Sequence, residues 1–131
     1  MRHHLIHGFA AGGLSSAAAL IYRFAIEQAM FLDFSLVIGE TSILMACFSA
    51  CLLMSIVYAG IHQVNKPKLI GWINLIFVLI TCFSLIVPIS ITLPLDVEFP
   101  EMFPGFAMPM HFFPVLSFLG LAPFFAKSRT E

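Results

Sequence analysis

Apolar residues follow one another in four long stretches along the chain. Asp, Glu, Lys and Arg are absent from these stretches, each of which is 20 to 27 residues long: 3–22, 41–64, 69–95 and 102–126. A bilayer core needs about 20 predominantly apolar residues per crossing helix. The stretches lack the alternation of polar and apolar residues that marks barrel strands, so they are expected to be helices. The pattern predicts an all-α, four-transmembrane-helix bundle forming a single integral membrane domain over residues 1–131, with helices at approximately 5–26, 37–62, 69–93 and 105–126.

Prolines within the apolar stretches predict how two of these helices depart from regular geometry. Pro88 lies in the third helix, where it removes one backbone hydrogen bond and frees the carbonyl of Ser84. We therefore expect a kink there. The fourth helix contains Pro109, Pro114 and Pro123 and is predicted to be proline-kinked.

The distribution of charge predicts the orientation. All but one of the cations fall at the N-terminus, in the loop between the second and third helices, or at the C-terminus: Arg2, Lys66, Lys68, Lys127 and Arg129. The opposite loops carry Asp33, Asp96, Glu98 and Glu101, with Glu27 and Glu40 at the ends of the adjoining helices. Because cytoplasmic loops are enriched in Lys and Arg, both termini are predicted to be cytoplasmic. Arg23 is the exception, since it lies towards the outer side.

The first stretch has a competing interpretation as a signal peptide. Residues 1–4 are weakly basic, and the alanines at 17–19 resemble the small residues of a cleavage site. We expect residues 5–26 to remain as a permanent first helix. The protein is then expected to be a multi-pass membrane protein.

Composition agrees with a lipid environment and excludes one class of partner. Of the 131 residues, 60% are hydrophobic and 10% are charged, and the mean hydropathy is +1.02. Soluble domains have roughly 45–50% apolar and about 25% charged residues. Six Lys and Arg residues and a net charge of -1 do not form the basic surface that nucleic-acid binding requires. The three cysteines, Cys47, Cys51 and Cys82, lie within apolar stretches and are interpreted as free thiols.

Small residues recur on one face of the first helix. Gly8, Gly12, Ser16 and Ala19 follow one another at helical spacing. Gly8 and Gly12 form a GxxxG pattern, which lets another helix approach closely. The partner of this helix-packing seam is either another helix of the same chain or a second copy.

Three charged residues near the outer side form a candidate polar site. Arg23 and Glu27 lie four residues apart in the first helix, and Glu40 begins the second helix. Charges within a membrane tend to face protein or water, so all three are expected to meet near the outer interface. The group is either an ion pair that fixes the hairpin or an entry site for an ion or anionic substrate.

His111, early in the fourth helix, completes the candidate polar site. A neutral His111 that bonds a carbonyl freed by Pro114 or by a neighbour is one interpretation, and a proton relay is the other. Met108, Met110 and His111 are also weak candidates for copper ligands, because thioethers and imidazoles suit that metal. Met102 adds to these on the outer side, and His3, His4 and His7 form a similar set on the inner side. No cofactor is predicted.

The chain resembles a broad family of small bacterial four-helix inner-membrane proteins known only as a domain of unknown function. The resemblance rests on the Gly- and Ala-rich residues 8–20, on Ser84-Leu85-Ile86-Val87-Pro88, on Leu93-Pro94-Leu95 and on Met110-His111. It implies the four-helix architecture and no reaction. The prolines of the fourth helix depart from the simpler helix of such proteins.

The residues favour a protein without catalytic activity. No Ser-His-Asp set with suitable spacing, no glycine-rich phosphate loop and no CxxC redox motif is present in the sequence. The expected function is a structural or accessory component of a membrane assembly, either a homo-oligomer or a subunit of a membrane complex. A small transporter or channel subunit with an outer-side Arg/Glu/His site is the first alternative, and a copper-handling membrane protein is the second.

Overall fold

The computed structural model describes residues 2–64, 66, 68–93, 97 and 99–126. Several residues used in the sequence analysis lie outside this range: Pro94, Leu95, Asp96, Glu98, Lys127 and Arg129. Five α-helices and a short 3-10 helix make up the described part of the chain. They are α1 (Arg2–Met30), α2 (Glu40–Gln63), α3 (Leu69–Ser84), α4 (Ile86–Ser90), the 3-10 helix (Pro100–Met102) and α5 (Phe103–Ala126).

Four helical segments of the described chain are long and apolar enough to cross a membrane. They are Arg2–Met30, Glu40–Gln63, Leu69–Ser90 and Pro100–Phe125. The predictions of an all-helical fold and of four helices suited to a membrane are thereby confirmed. The largest difference in bounds is in the first helix, which extends beyond the predicted 5–26 at both ends.

The end of α1 is set by a residue that gives no sequence signal for it. Phe31 has a φ of 55°, in the left-handed region, and the Leu32 amide donates to the Glu27 carbonyl at 3.2 Å. Glycine is the usual residue in such a helix end. The connection then turns at Asp33, whose carboxylate accepts from the Ser35 amide at 2.8 Å. Hydrogen bonds from the Ser35 side chain and backbone lower the pKa of Asp33.

The third of these four segments, Leu69–Ser90, is interrupted at Leu85, between α3 and α4. The Leu85 amide bonds the Cys82 carbonyl at 3.3 Å, which is a 3-10 rather than an α-helical spacing. Pro88 follows three residues later and has no amide hydrogen to give to the Ser84 carbonyl. The interruption therefore lies in the turn that precedes Pro88, where the sequence predicted a departure from regular geometry.

The last helix runs through its prolines without an interruption of helical assignment. Pro109, Pro114 and Pro123 all lie inside α5. Each proline removes the amide that would bond the carbonyl four residues earlier. The bend predicted for this helix stays a prediction.

The core is divided into two clusters along the length of the helices. One contains Phe34 from the α1–α2 connection with Phe103 and Phe106 of α5, and the ring centroids of Phe34 and Phe106 are 5.0 Å apart. The other contains Cys51 and Tyr58 of α2 with Phe118 of α5, and lies towards the opposite end. Helix α1 packs along α2 and α5 and contributes to both clusters. By contrast, α3 has no buried residue.

Candidate functional site

A cavity of about 700 Å³ lies between α2, α3 and α5, and is called the cleft below. Its lining is apolar except for Ser42, Thr81, Ser84 and His111. Small-molecule sites of roughly 300–1,000 Å³ are commonly lined in this way, with a few polar groups in an apolar surface. The apolar lining residues are Ile38, Ile43, Ala46, Cys47, Ala50, Leu53, Met54, Val57, Phe77, Ile80, Ala107, Met110, Pro114 and Val115.

The cleft exists because α2 and α3 pack against different helices. Helix α2 packs mainly against α1, α3 packs against α5, and α2 and α3 meet each other over only a small area. The small side chains of Ala46, Ala50 and Ala107 leave the space between them unfilled. Leu53 and Ile80 on the lining are 63% and 59% exposed. The cleft is therefore open at the protein surface, which in a membrane faces lipid chains.

The polar group of the cleft joins α3 to α5 through a chain of hydrogen bonds. Nδ1 of His111 lies 2.9 Å from the Ser84 hydroxyl oxygen, and the Ser84 hydroxyl donates to the Thr81 carbonyl at 2.7 Å. A serine hydroxyl can bond a carbonyl of the preceding helical turn in this way, as Ser49 does with the Ala46 carbonyl in α2. The interruption at Leu85 immediately follows Ser84 along the chain.

This arrangement differs from the interpretation given to His111 in the sequence analysis. A carbonyl freed by Pro114 or by a neighbour was expected as its partner, whereas the contact observed for Nδ1 is with the Ser84 hydroxyl of α3. The carbonyl of Pro114 itself accepts from the Cys51 thiol, with sulfur and oxygen 3.7 Å apart. A nucleophile and base would need the Ser84 hydroxyl to donate to the imidazole, whereas its oxygen lies at the shorter distance of 2.7 Å from the Thr81 carbonyl, to which it donates.

Arg23 is buried and bridges α1 to the segment that precedes α2. Its Nε donates to Glu27 Oε1 at 2.8 Å, and its Nη1 donates to the Ile38 carbonyl at 3.1 Å. Glu40 is exposed and forms no ion pair with Arg23. The expectation that all three charges meet is therefore wrong for Glu40. A backbone carbonyl two residues before Glu40 takes that place.

The small-residue seam of α1 is occupied within the chain. Gly8, Gly12, Ser16 and Ala19 are all buried. A methyl group at Gly8 would approach Ser55 Cβ to 2.8 Å, and one at Gly12 would approach the Phe48 ring to 2.8 Å. Both contacts are with α2. Of the two partners left open by the sequence, the structure places another helix of the same chain against these glycines.

His7 has a packing role that the sequence analysis did not predict. Its Nε2 lies 2.9 Å from the Phe118 carbonyl, to which it donates, and its ring stacks on Phe118 and Phe125 at centroid distances of 4.2 and 4.8 Å. The nearby Tyr58 hydroxyl donates to the Asn74 side chain. His7, Tyr58 and Asn74 therefore connect α1, α2, α3 and α5 at the end of the molecule opposite Arg23.

The copper candidates Met108, Met110 and His111 all lie on α5, and the copper interpretation stays a prediction. No group of three His, Cys, Asp or Glu side chains among the described residues converges as a metal site would. Met110 and His111 line the cleft, whereas Met108 is not part of its lining. On the inner side, His4 stacks on His62 with centroids 4.7 Å apart, while His3 is exposed.

The chain matches no protein-family model, no curated protein and no solved structure. The resemblance to a family of small four-helix membrane proteins stays a prediction. The cleft is consequently interpreted from its own residues.

Sequence reasoning found the individual polar residues of the cleft but not the cleft itself. Ser84, Thr81 and His111 stand out as polar positions in apolar helices. Counted from the predicted outer ends at residues 93 and 105, Ser84 and His111 lie nine and six residues into their helices, or about 14 and 9 Å at 1.5 Å per residue. Such depths are compatible with a contact but do not single it out. The gap beside them depends on how α2 and α3 are splayed, for which the sequence has no local signal.

Proposed function

We propose that this chain is a non-enzymatic, multi-pass protein of the bacterial inner membrane that acts as an accessory component by holding an apolar molecule in its cleft. The observation that carries the proposal is the open, mostly apolar cavity of about 700 Å³ between α2, α3 and α5. An occupant that comes from the bilayer can enter where Leu53 and Ile80 are exposed. A molecule that fits the concave surface makes more van der Waals contacts with it than mobile lipid chains do.

The proposed architecture is a four-helix bundle with both termini cytoplasmic. The excess of Lys and Arg at the termini and in the α2–α3 loop supports this orientation. It places His111 and Ser84 in the outer half of the membrane. Assembly with further copies or with partner subunits would use a surface other than the Gly8 and Gly12 seam, since that seam faces α2.

The lining of the cleft favours binding over conduction. A water-filled pathway needs polar groups along its length, whereas the cleft has four polar side chains among many apolar ones. Arg23 and Glu27 are not part of its lining. No contact of the described residues therefore specifically favours a transporter or channel. The same holds for copper handling.

Ligand-dependent stability tests the proposal. Hexadecanol serves as the probe, added to the protein in nanodiscs of phosphatidylethanolamine and phosphatidylglycerol. Binding to the folded state raises the melting temperature in a saturable way, because a ligand of the folded state stabilises it by mass action. Ala50→Phe should abolish the saturable rise by filling the cleft. Met45→Phe is the matched control on the same helix, since Met45 is 72% exposed and is not part of the lining.

Two results would overturn the proposal. A rise in melting temperature that is equal in Ala50→Phe and in the wild type would show that the alcohol acts on the bilayer rather than in the cleft. No rise in the wild type, together with a change of oligomeric state in Ala50→Phe by analytical ultracentrifugation, would show that a protein helix fills the cleft instead.

A further inference from the structure

We infer that the occupant of the cleft is an amphiphile with an apolar body and a single hydroxyl group, and that this hydroxyl donates a hydrogen bond to Nε2 of His111. The inference rests on the proposed function, since it specifies the chemistry of the molecule held in the cleft. It follows from the direction of the hydrogen bonds around Ser84.

The first step concerns the single proton of the Ser84 hydroxyl. A serine hydroxyl donates one hydrogen bond, and a backbone carbonyl can only accept. The Ser84 oxygen lies 2.7 Å from the Thr81 carbonyl oxygen, so the hydroxyl proton is used in that bond. Ser84 therefore meets His111 with a lone pair.

The second step fixes the tautomer of His111. Because Ser84 accepts, the proton between the two residues belongs to Nδ1 of His111, which lies 2.9 Å from the Ser84 oxygen. The surroundings are apolar, and an unpaired imidazolium would be costly there. A neutral imidazole carries one N–H, so Nε2 of His111 presents a lone pair and no proton.

The third step concerns what can meet that lone pair. No described residue forms a hydrogen bond with Nε2 of His111. An occupant that donates a hydrogen bond satisfies this nitrogen, whereas a ketone, ester or quinone carbonyl places a second acceptor against it. A long-chain alcohol has the required donor, and the apolar lining around Met110 and Val115 accepts its hydrocarbon body.

The same residues explain why one polar group is enough. Ser84 is engaged on both sides, by Thr81 and by His111. Ser42 and Thr81 also line the cleft, and Ser42 is exposed and lies on α2 rather than on the two helices that carry the hydrogen-bond chain. The Nε2 lone pair of His111 is the acceptor whose direction that chain fixes, and it lies next to a large apolar surface, which suits a monohydroxy amphiphile.

A series of probes with equal chain length tests the inference. Hexadecanol, 2-hexadecanone and hexadecane are titrated into the protein in the same nanodiscs, and dissociation constants are taken from the rise in melting temperature. Hexadecanol should bind between about twofold and tenfold more tightly than hexadecane, the range expected for one net hydrogen bond. The ketone should bind no more tightly than the alkane.

Ser84→Ala provides a sharper readout than removal of His111. Without the Ser84 acceptor, the imidazole is free to carry its proton on Nε2 and to donate it to a ketone. The preference for alcohol over ketone should then fall towards one, while binding itself persists. In the wild type, ¹⁵N spectra of His111 should show a protonated Nδ1 and an unprotonated Nε2, a measurement that needs no variant.

The outcomes separate this inference from the proposed function. Equal binding of all three probes, with loss of binding in Ala50→Phe, would overturn the hydroxyl assignment and leave the binding function standing. A proton on Nε2 in the wild type, or a ketone bound as tightly as the alcohol, would also overturn the assignment. Failure of every probe to bind would overturn both.

Discussion

Arg23 illustrates how a cation within an apolar helix is accommodated by its neighbours. Its guanidinium bonds the Glu27 carboxylate on the next turn and the Ile38 carbonyl of the following connection. The spacing of four residues made the first contact predictable, since such residues share a helix face. The contact with the Ile38 carbonyl was not predictable, because every residue has a backbone carbonyl and the sequence does not mark this one. Its position depends on the path of the chain after Phe31.

The two contacts of Arg23 predict a specific pattern of energetic coupling. Arg23→Gln should destabilise the protein by about 1.5–3 kcal/mol, the range for hydrogen bonds to charged groups. A double-mutant cycle with Glu27→Gln should show coupling of at least about 0.5 kcal/mol. Unfolding in detergent measures both quantities.

Glu40 provides the matched control for this cycle. It carries the same charge as Glu27 but forms no ion pair with Arg23. Coupling between Arg23 and Glu40 should lie within about 0.3–0.5 kcal/mol of zero, as for independent sites. Similar coupling for the two acids, or none for Glu27, would contradict the structural role given to Arg23.

At the scale of elements, the seam of α1 shows what sequence periodicity can and cannot supply. The spacing of Gly8, Gly12, Ser16 and Ala19 predicted a close-packing face, and all four residues are buried. The sequence left its partner open, since a GxxxG pattern suits contacts within and between chains equally. The glycines contact α2 through Ser55 and Phe48, and no sequence motif marks these two residues as their partners.

The close approach of α1 and α2 predicts opposite effects for two glycines of the same helix. Gly8→Ala should lower the melting temperature, because the new methyl group would lie 2.8 Å from Ser55 Cβ and 3.3 Å from the Cys51 carbonyl oxygen. Gly13→Ala should be neutral or slightly stabilising, since no atom lies within 4 Å of the added carbon. Thermal unfolding in one detergent compares the two. Equal losses would mean that α1 and α2 do not pack through this seam.

The interruption between α3 and α4 is predictable only in part. Pro88 predicts a lost backbone bond to Ser84, and the helix is interrupted nearby, at Leu85. The sequence does not indicate that the Ser84 hydroxyl then bonds Thr81 and receives His111. That geometry depends on the packing of α3 against α5, which joins residues 27 positions apart.

At the scale of the whole molecule, the prediction of the fold depended more on composition than on any single residue. Four uncharged stretches of sufficient length left helices as the only way to satisfy the backbone in lipid, and the described chain has four such helices. The cleft belongs to this scale as well. It results because α2 packs along α1 while α3 packs against α5. The pattern of apolar residues along each helix does not specify this arrangement.

The uneven distribution of charge predicts on which side of the membrane a fused reporter protein will lie. A reporter fused after Glu131 should be active as a cytoplasmic protein, because Arg2, Lys66 and Lys68 share the predicted inner side with the C-terminus. The same reporter fused after Phe99 should behave as a protein outside the cytoplasm. Cytoplasmic activity at both positions would contradict four crossings.

Site-resolved photolabelling tests the central claim, that the proposed cleft holds an apolar molecule. A diazirine derivative of hexadecanol is added to the protein in nanodiscs, and the labelled peptides are identified by mass spectrometry. The account predicts labelling of the α2 and α5 lining near Ala50 and Val115 that saturates with probe and is lost in Ala50→Phe. Labelling of exposed apolar residues outside the cleft, such as Leu75, should rise in proportion to probe. Labelling near Ala50 that also rises in proportion to probe, and is unchanged by Ala50→Phe, would contradict the claim.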